Sequence, residues 1–341
     1  MSIKTGGRML MCRSAIIMTV LLINCGVTAI AQKSAAIDNA KPIVRRGGAY
    51  IKMSLNAYSF SKALNDNIKG RGNGITLLDM MDFAAQQNFD AVDLTGYFFP
   101  GYPNVPSDEY INSLKKKAFQ LGLDISGTGV RNDFANPDPA KRAADVKIVK
   151  DWVDVAVKLG APVVRIFSGV IPAGYENKCD SIAGYMAASM RECADYAKSK
   201  GILIGVQNHG DFLKTAEQTI KLVKLVNSDW FGVIVDTGYF ITDNPYDDIE
   251  KVMPYAVNFQ MKESVFGAAS LVRIDVLRIM KIIKKTGYRG YLPIETLSAM
   301  GGNKNKNKDP ILATRAYDPY QLVPAFLKEI RAAQYTVFGD Q

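Results

Sequence analysis

The chain of 341 residues is poor in the side chains that most often carry metal and nucleophile chemistry: it has one histidine and four cysteines. A single imidazole excludes any site that needs a cluster of histidines. Two of the cysteines, Cys12 and Cys25, fall in the first thirty residues, which leaves only Cys179 and Cys193 for a disulfide in an oxidising compartment, a pairing that sequence leaves open. No GxGxxG follows the first β-rich run, so a dinucleotide fold has no fingerprint here. Excess positive charge is present, formally +9, but it is scattered along helical stretches. Its one dense cluster, NKNKNKD from Asn303, alternates with asparagine in an expected loop. That pattern fits a solvated surface and gives no reason to expect nucleic acid as a partner.

The N-terminus has a different character. Lys4, Arg8 and Arg13 precede an apolar run from Ala15 to Ile23, and Ala29-Ile30-Ala31 closes the segment. This is the layout of a signal peptide over residues 1–31, cleaved after Ala31, on a run too short to span a bilayer comfortably. The expected product is an exported, periplasmic or secreted chain with net charge +6, since three positive charges leave with the leader. Leu22-Ile23-Asn24-Cys25 is a poorer match to a lipoprotein box, because Asn is unfavourable before the cysteine, and a lipid anchor is the lesser alternative.

After a polar linker over residues 32–48, eight short β-rich runs alternate with helical periodicity. The runs are YIKMSLNAYSF from Tyr50, AVDLTG from Ala91, LDISGTG from Leu123, PVVRIFSG from Pro162, ILIGVQNHG from Ile202, FGVIVDTG from Phe231, AVNFQMKE from Ala256 and YLPIETL from Tyr291. Between them lie amphipathic stretches such as LLDMMDFAAQQ from Leu77 and VLRIMKIIKKTG from Val276. Strict alternation repeated eight times predicts an α/β fold, a single-domain (βα)8 TIM barrel over residues 49–335. In such a barrel the chemistry gathers at the C-terminal ends of the strands. The polar residues there are Asn56, Tyr58, Asp93, Arg165, Gln207, His209, Asp236, Gln260, Lys262 and Glu295, and charge at the end of an apolar strand is costly unless paired or used. Asn56, Tyr58, Asp93 and Arg165 are candidate substrate-binding groups, with Tyr97 from the aromatic loop GYFFPGYP as a surface for a sugar ring.

From about Ile51 to Ala333 the chain resembles the xylose isomerase-like TIM barrels, the sugar phosphate isomerase/epimerase superfamily, through GVQNHGDF, GVIVDTGYF, VNFQMKES and LPIET. The resemblance implies a divalent metal held by Glu, Asp, His and Glu from the fifth to eighth strands, with the two glutamates also moving the proton. Carried over, those places are Gln207, Asp236, Gln260 and Glu295, and only Asp236 and Glu295 keep the family residue. A carboxamide has no useful basicity, so Gln207 is not a general base. All four side chains can still offer oxygen to a hard cation, and a weak site for Mn²⁺, Mg²⁺ or Ca²⁺ is the expectation. The related endonuclease barrels that cut at abasic sites need several histidines and are set aside.

Alternation puts His209 on the face of Gln207 if the fifth strand continues to residue 209, and Lys262 on the face of Gln260. His209 is then an acid/base, a metal ligand or a structural group. Lys262 donates a proton, stabilises an enolate oxygen or pairs with Asp236 or Glu295. Expected catalytic residues are Glu295, His209 and Lys262. The expected activity is that of an exported sugar isomerase or epimerase working by proton abstraction beside a carbonyl on a small carbohydrate. A keto-sugar lyase or hydratase on the same barrel, or a non-catalytic carbohydrate-binding barrel, is the alternative. Export argues against phosphorylated sugars.

Overall fold

A computed structural model describes residues 38–209, 212–266, 270–296 and 316–339. The expected leader, Cys12, Cys25 and the Lys/Asn loop lie outside the described residues.

Eight parallel strands close into a barrel in the order β1-β10-β7-β6-β5-β4-β3-β2. They are β1 (Tyr50–Asn56), β2 (Ala91–Thr95), β3 (Asp124–Gly129), β4 (Val163–Ile166), β5 (Leu203–Gln207), β6 (Phe231–Asp236), β7 (Ala256–Lys262) and β10 (Arg289–Glu295). The helices between them are α1 (Ser61–Ile68), α2 (Leu77–Gln86), α3 (Asp108–Leu121), α4 (Pro139–Leu159), α5 (Cys179–Lys200), α6 (Ala216–Val226), α7 (Pro245–Val252) and α8 (Val276–Thr286), and α9 (Pro319–Phe338) follows the last strand. This is a single-domain (βα)8 TIM barrel, as the alternation predicts. An antiparallel hairpin, β8 (Ser264–Phe266) and β9 (Ser270–Arg273), interrupts the link from β7 to α8 and was not expected from the pattern.

Local chemistry explains the element boundaries. Thr76 and Thr215 each form a capping box at the start of α2 and α6. Lysines in the last turns of α5 and α8 precede Gly201 and Gly287, both left-handed, so a cation faces the negative end of each helix dipole and glycine stops the helix. The stretch expected as a linker docks in part against the barrel: Arg45 donates to the carbonyls of Met253 and Ala256. Cys179 and Cys193 are free thiols on one helix, fourteen residues apart, or about 21 Å of axial rise, which no disulfide spans. Among the described residues no helix is long and apolar enough to cross a membrane.

Leu55, Val92, Val164, Val206, Val235, Met261 and Ile294 are fully buried and alternate with the polar residues that end the strands, so they lie on the opposite face, yet those strand ends carry buried charge: Asp93, Arg165, Asp236, Lys262, Glu263 and Glu295 are each at most 8% exposed. Strand β3, with the sequence DISGTG, gives them room. A Cβ on Gly127 would stand 2.8 Å from Asp93 Oδ2, and one on Gly129 would stand 2.8 Å from Arg165 Nε. Glycine is needed there because charged side chains from the neighbouring strands lie across it.

Candidate active site

Register brings the charged residues together. Glu295 on β10 is the strand partner of Lys262 on β7, and Asp236 on β6 is the partner of Gln260. The Lys262 ammonium sits 3.1 Å from Asp236 Oδ2 and 3.8 Å from Glu295 Oε1. Gln207 donates through Nε2 to Asp236 Oδ2, and Gln260 donates through Nε2 to Glu295 Oε2. Gln260 in turn accepts from Asn56 Nδ2 at 3.0 Å. A continuous polar chain therefore links five neighbouring strands of the wall, Asn56 to Gln260 to Glu295 to Lys262 to Asp236 to Gln207.

Asp236, Lys262 and Asn56 are each held from behind. Asn208, fully buried, donates to the Asp236 carbonyl at 2.9 Å and accepts its N–H at 2.7 Å, clipping β5 to β6. Gly238 N donates to Asp236 Oδ1 at 2.8 Å. Thr237 Oγ1 accepts from Lys262 N at 2.9 Å. Asn56 Oδ1 accepts from Tyr58 N and caps the short turn that follows β1.

Burial and neighbouring charge set the protonation of the pair. Loss of solvent pushes the Glu295 carboxyl up to about 7, the opposing charge of Lys262 being the smaller influence. Burial by itself would lower Lys262, but the charges of Asp236 and Glu295 outweigh it, so the amine is held above its ordinary value and stays an ammonium. Its outer side faces the Tyr239 ring, 4.2 Å away.

His209 lies at the same mouth by a different route from the one alternation suggests. Strand β5 ends at Gln207, and His209 N closes a tight turn onto the Gln207 carbonyl at 2.8 Å. The imidazole packs between the rings of Tyr239, 3.7 Å away between centroids, and Phe167, at 4.9 Å. Burial, with Lys262 and Arg165 nearby, holds it well below its usual value, so the ring is neutral at pH 7. A neutral imidazole both donates and accepts.

Across the mouth, Arg165 donates to the Val130 carbonyl at 2.8 Å and to Tyr97 Oη at 3.2 Å, with its guanidinium 4.1 Å from the Phe167 ring. Asp93 is buried beside it; desolvation pushes its carboxyl up to about 6 against the pull of Arg165. Tyr58, partly exposed, stands edge-on to Tyr97 at 6.3 Å. In the aromatic loop, Phe99 is core, packed on Trp152 and Tyr110, while Tyr97 reaches the mouth. The partners that sequence reading missed are Tyr239, Phe167, Asn208 and Thr237. All four lie within three residues of motif positions, and only spatial neighbours reveal their part.

The expected metal ligands Gln207, Asp236, Gln260 and Glu295 do come together, but their arrangement does not fit a divalent cation. Both amides turn N–H toward the carboxylates, and an ammonium already lies between the two acids. A hard cation would draw oxygen lone pairs, not N–H donors, from the amides it used as ligands. Among the described residues no three His, Cys, Asp or Glu side chains are grouped to hold a metal ion. The expected weak Mn²⁺, Mg²⁺ or Ca²⁺ site is therefore not shown: the ammonium of Lys262, two residues beyond Gln260, lies within ion-pair distance of both acids.

Residue His209 gives a separate test. Replacement by alanine removes the ring that Tyr239 and Phe167 pack on, and kcat is expected to fall by about tenfold to a hundredfold. An unchanged kcat would remove His209 from the chemistry.

Comparison with known proteins follows the fold. A family model described as xylose isomerase-like TIM barrel matches residues 81–314, more than half the chain. An uncharacterized protein of Methanocaldococcus jannaschii is 23% identical over 251 residues, covering 68% of this chain and 83% of that protein. Among solved structures, D-psicose 3-epimerase with D-tagatose from Clostridium cellulolyticum H10 is similar with a TM-score of 0.64 and 20% identity, covering 83% of this chain and 99% of that one. An L-ribulose 3-epimerase has a TM-score of 0.65 and 17% identity over 84% and 96% of the two chains. A 3-keto-D-glucoside 4-epimerase from E. coli has a TM-score of 0.61 and 12% identity over 83% and 100%. At these identities the structural likeness establishes the fold.

Proposed function

This chain belongs to the xylose isomerase-like TIM barrel family, and we propose that it is an exported sugar isomerase or epimerase-like enzyme that removes a proton from the carbon beside a carbonyl. The observation that carries this reading is the buried pair at the ends of β10 and β7, an acid able to accept a proton near neutrality next to a fixed ammonium. Glu295 takes the proton; the C–H electron pair becomes a carbon–carbon double bond, and the carbonyl electrons settle on oxygen. Lys262 meets that oxygen's charge with an N–H. The proton of the adjacent hydroxyl passes to the former carbonyl oxygen, the electrons of that O–H bond form the new carbonyl, and the carbon–carbon double-bond electrons take the proton back from Glu295 at the former carbonyl carbon, which completes an isomerisation. Arg165 and Asn56 offer donors to hydroxyls, and Tyr58, Tyr97, Phe167 and Tyr239 offer ring faces to a sugar. The leader expected at residues 1–31 supports export, and with it a free or glycosidically linked sugar over a phosphorylated one.

A keto-sugar lyase or hydratase is the second reading, favoured by one observation. Gln207 stands where the family's other glutamate would be, and it spends its amide on Asp236. Inversion at one carbon calls for proton transfer on both faces, whereas isomerisation and elimination proceed with one base. Neutral His209 is the remaining group able to serve the second face.

A panel of free and glycosidically linked keto-sugars, followed by NMR for turnover and for carbon-bound deuterium in D₂O, tests both readings. Sugar binding without exchange or turnover across the panel would leave a carbohydrate-binding barrel instead. The pH profile follows from Glu295. The base must be ionised, so kcat/KM is expected to fall as pH drops through about 7 and to level off above it. A profile flat from pH 5 to 8 would show that Glu295 is not the base.

A further inference from the structure

We propose that the Lys262 ammonium takes the place of a divalent cation in this barrel, so that the site excludes metal and binds the substrate's carbonyl-derived oxygen through an N–H of this lysine. The inference deepens the proton-abstraction reading and rests on it for the substrate oxygen; the exclusion of metal stands on the geometry alone.

Three observations converge. The ammonium lies within ion-pair distance of both acids at the ends of β6 and β10, 3.1 Å from Asp236 and 3.8 Å from Glu295, and all three side chains are at most 6% exposed. A second cation in that space would meet an unshielded like charge within a few ångströms. Next, the two amides at the neighbouring strand ends are turned as donors. Gln207 and Gln260 each aim Nε2 at a carboxylate, and Gln260 Oε1 is engaged by Asn56. That orientation complements carboxylates paired with a lysine and opposes a metal, which would draw the amide oxygens inward. Finally, the lysine is fixed: its backbone N–H bonds Thr237 Oγ1, and its ammonium rests over the Tyr239 ring.

The chemistry is matched as well. An ammonium has three N–H donors. Asp236 and Glu295 engage at most two, which leaves one for a ligand oxygen. As Glu295 accepts the carbon-bound proton, it loses its negative charge at the moment the substrate oxygen gains one. Lys262 therefore passes from pairing with the base to pairing with the enediolate, and the total charge of the site is unchanged.

The experiment measures metal without reference to turnover. Full-length protein purified without chelator, and again after dialysis against Mn²⁺, is analysed for bound metal, with Mn²⁺ affinity followed by electron paramagnetic resonance. The expected result for the wild type is fewer than about 0.1 ions per chain and only weak titration. Lys262→Met, which empties the position while keeping the length of the side chain, is expected to bind Mn²⁺ at least about tenfold more tightly, and Lys262→Arg to stay as weak as the wild type. Thermal melts establish that each variant is folded. One tightly held ion per wild-type chain would overturn the proposal, as would a folded Lys262→Met protein that takes up no more Mn²⁺ than its parent. Absence of sugar turnover in a metal-free wild type would count against the proton-abstraction reading and leave the exclusion of metal standing.

Discussion

Glu295→Gln is expected to lower kcat by about a thousandfold while leaving the barrel folded, because the change removes a general base and little else. The new amide has the shape of the carboxylate. Gln260 Nε2 now donates to Glu295 Oε2, and an amide oxygen can accept the same bond. Lys262 keeps Asp236 as its partner at 3.1 Å, so the variant leaves no uncompensated buried cation. The loss should appear in kcat and kcat/KM together, since the group acts on the reacting proton and not on ground-state binding. Steady-state kinetics on the best sugar of the panel, with a melt as the control for folding, make the measurement. A variant that retains a tenth of the parent rate would assign the proton to another group.

Replacement of Lys262 by methionine carries the second large effect, and it is double. In metal-free buffer the change strands Asp236 and Glu295 side by side without a cation, at a cost of about 3–5 kcal/mol of folding stability. The sign of the pH dependence follows from Glu295. Its folded-state value lies above that of an unfolded carboxyl, so its ionised form opposes folding: stability is lost as pH rises from the ordinary carboxylate range to about 7, and removal of the ammonium extends that range upward. The deficit of the variant should therefore be larger at pH 8 than at pH 5.5, a comparison that denaturant melts at both values make directly. Turnover should fall by about a hundredfold to a thousandfold as well, the range for loss of one donor to a developing oxyanion. Equal stability of variant and parent at pH 8 would show that the ammonium is not what neutralises the pair.

How the site could be seen in advance differs residue by residue. The eight strands were legible because each is a short β-rich run closed by turn residues, and the helices between them repeat with helical period. Alternation then fixed the side of the strand, which is why Gln260 and Lys262 could both be placed at the mouth from the sequence. For His209 the same rule led to the mouth through a strand that in fact stops at Gln207. Contacts between strands were not legible. Lys262 meets Glu295 because those two residues are in register across a pair of strands separated by the β8–β9 hairpin and α8. No local pattern encodes that register. The direction in which an amide points is equally a property of its neighbours, so Gln207 and Gln260 read from sequence as possible oxygen ligands and stand in the structure as donors to carboxylates. Tyr239 and Phe167 look like core aromatics until His209, Lys262 and Arg165 are seen against their faces.

The glycines of β3 point the same way. A strand reading DISGTG is weak by propensity. It makes sense only where Asp93 and Arg165 need to lie across it.

The proposed chemistry moves a proton on carbon with a carboxylate and an ammonium in place of a metal. Its most direct test is deuterium exchange in D₂O by protein stripped with chelator and kept in it, set beside Glu295→Gln under the same conditions, with the sugar's carbon-bound hydrogens followed by NMR. Exchange next to the carbonyl is expected from the metal-free parent, and none above background from the variant. Exchange that vanishes on chelation and returns with added Mn²⁺ would contradict it.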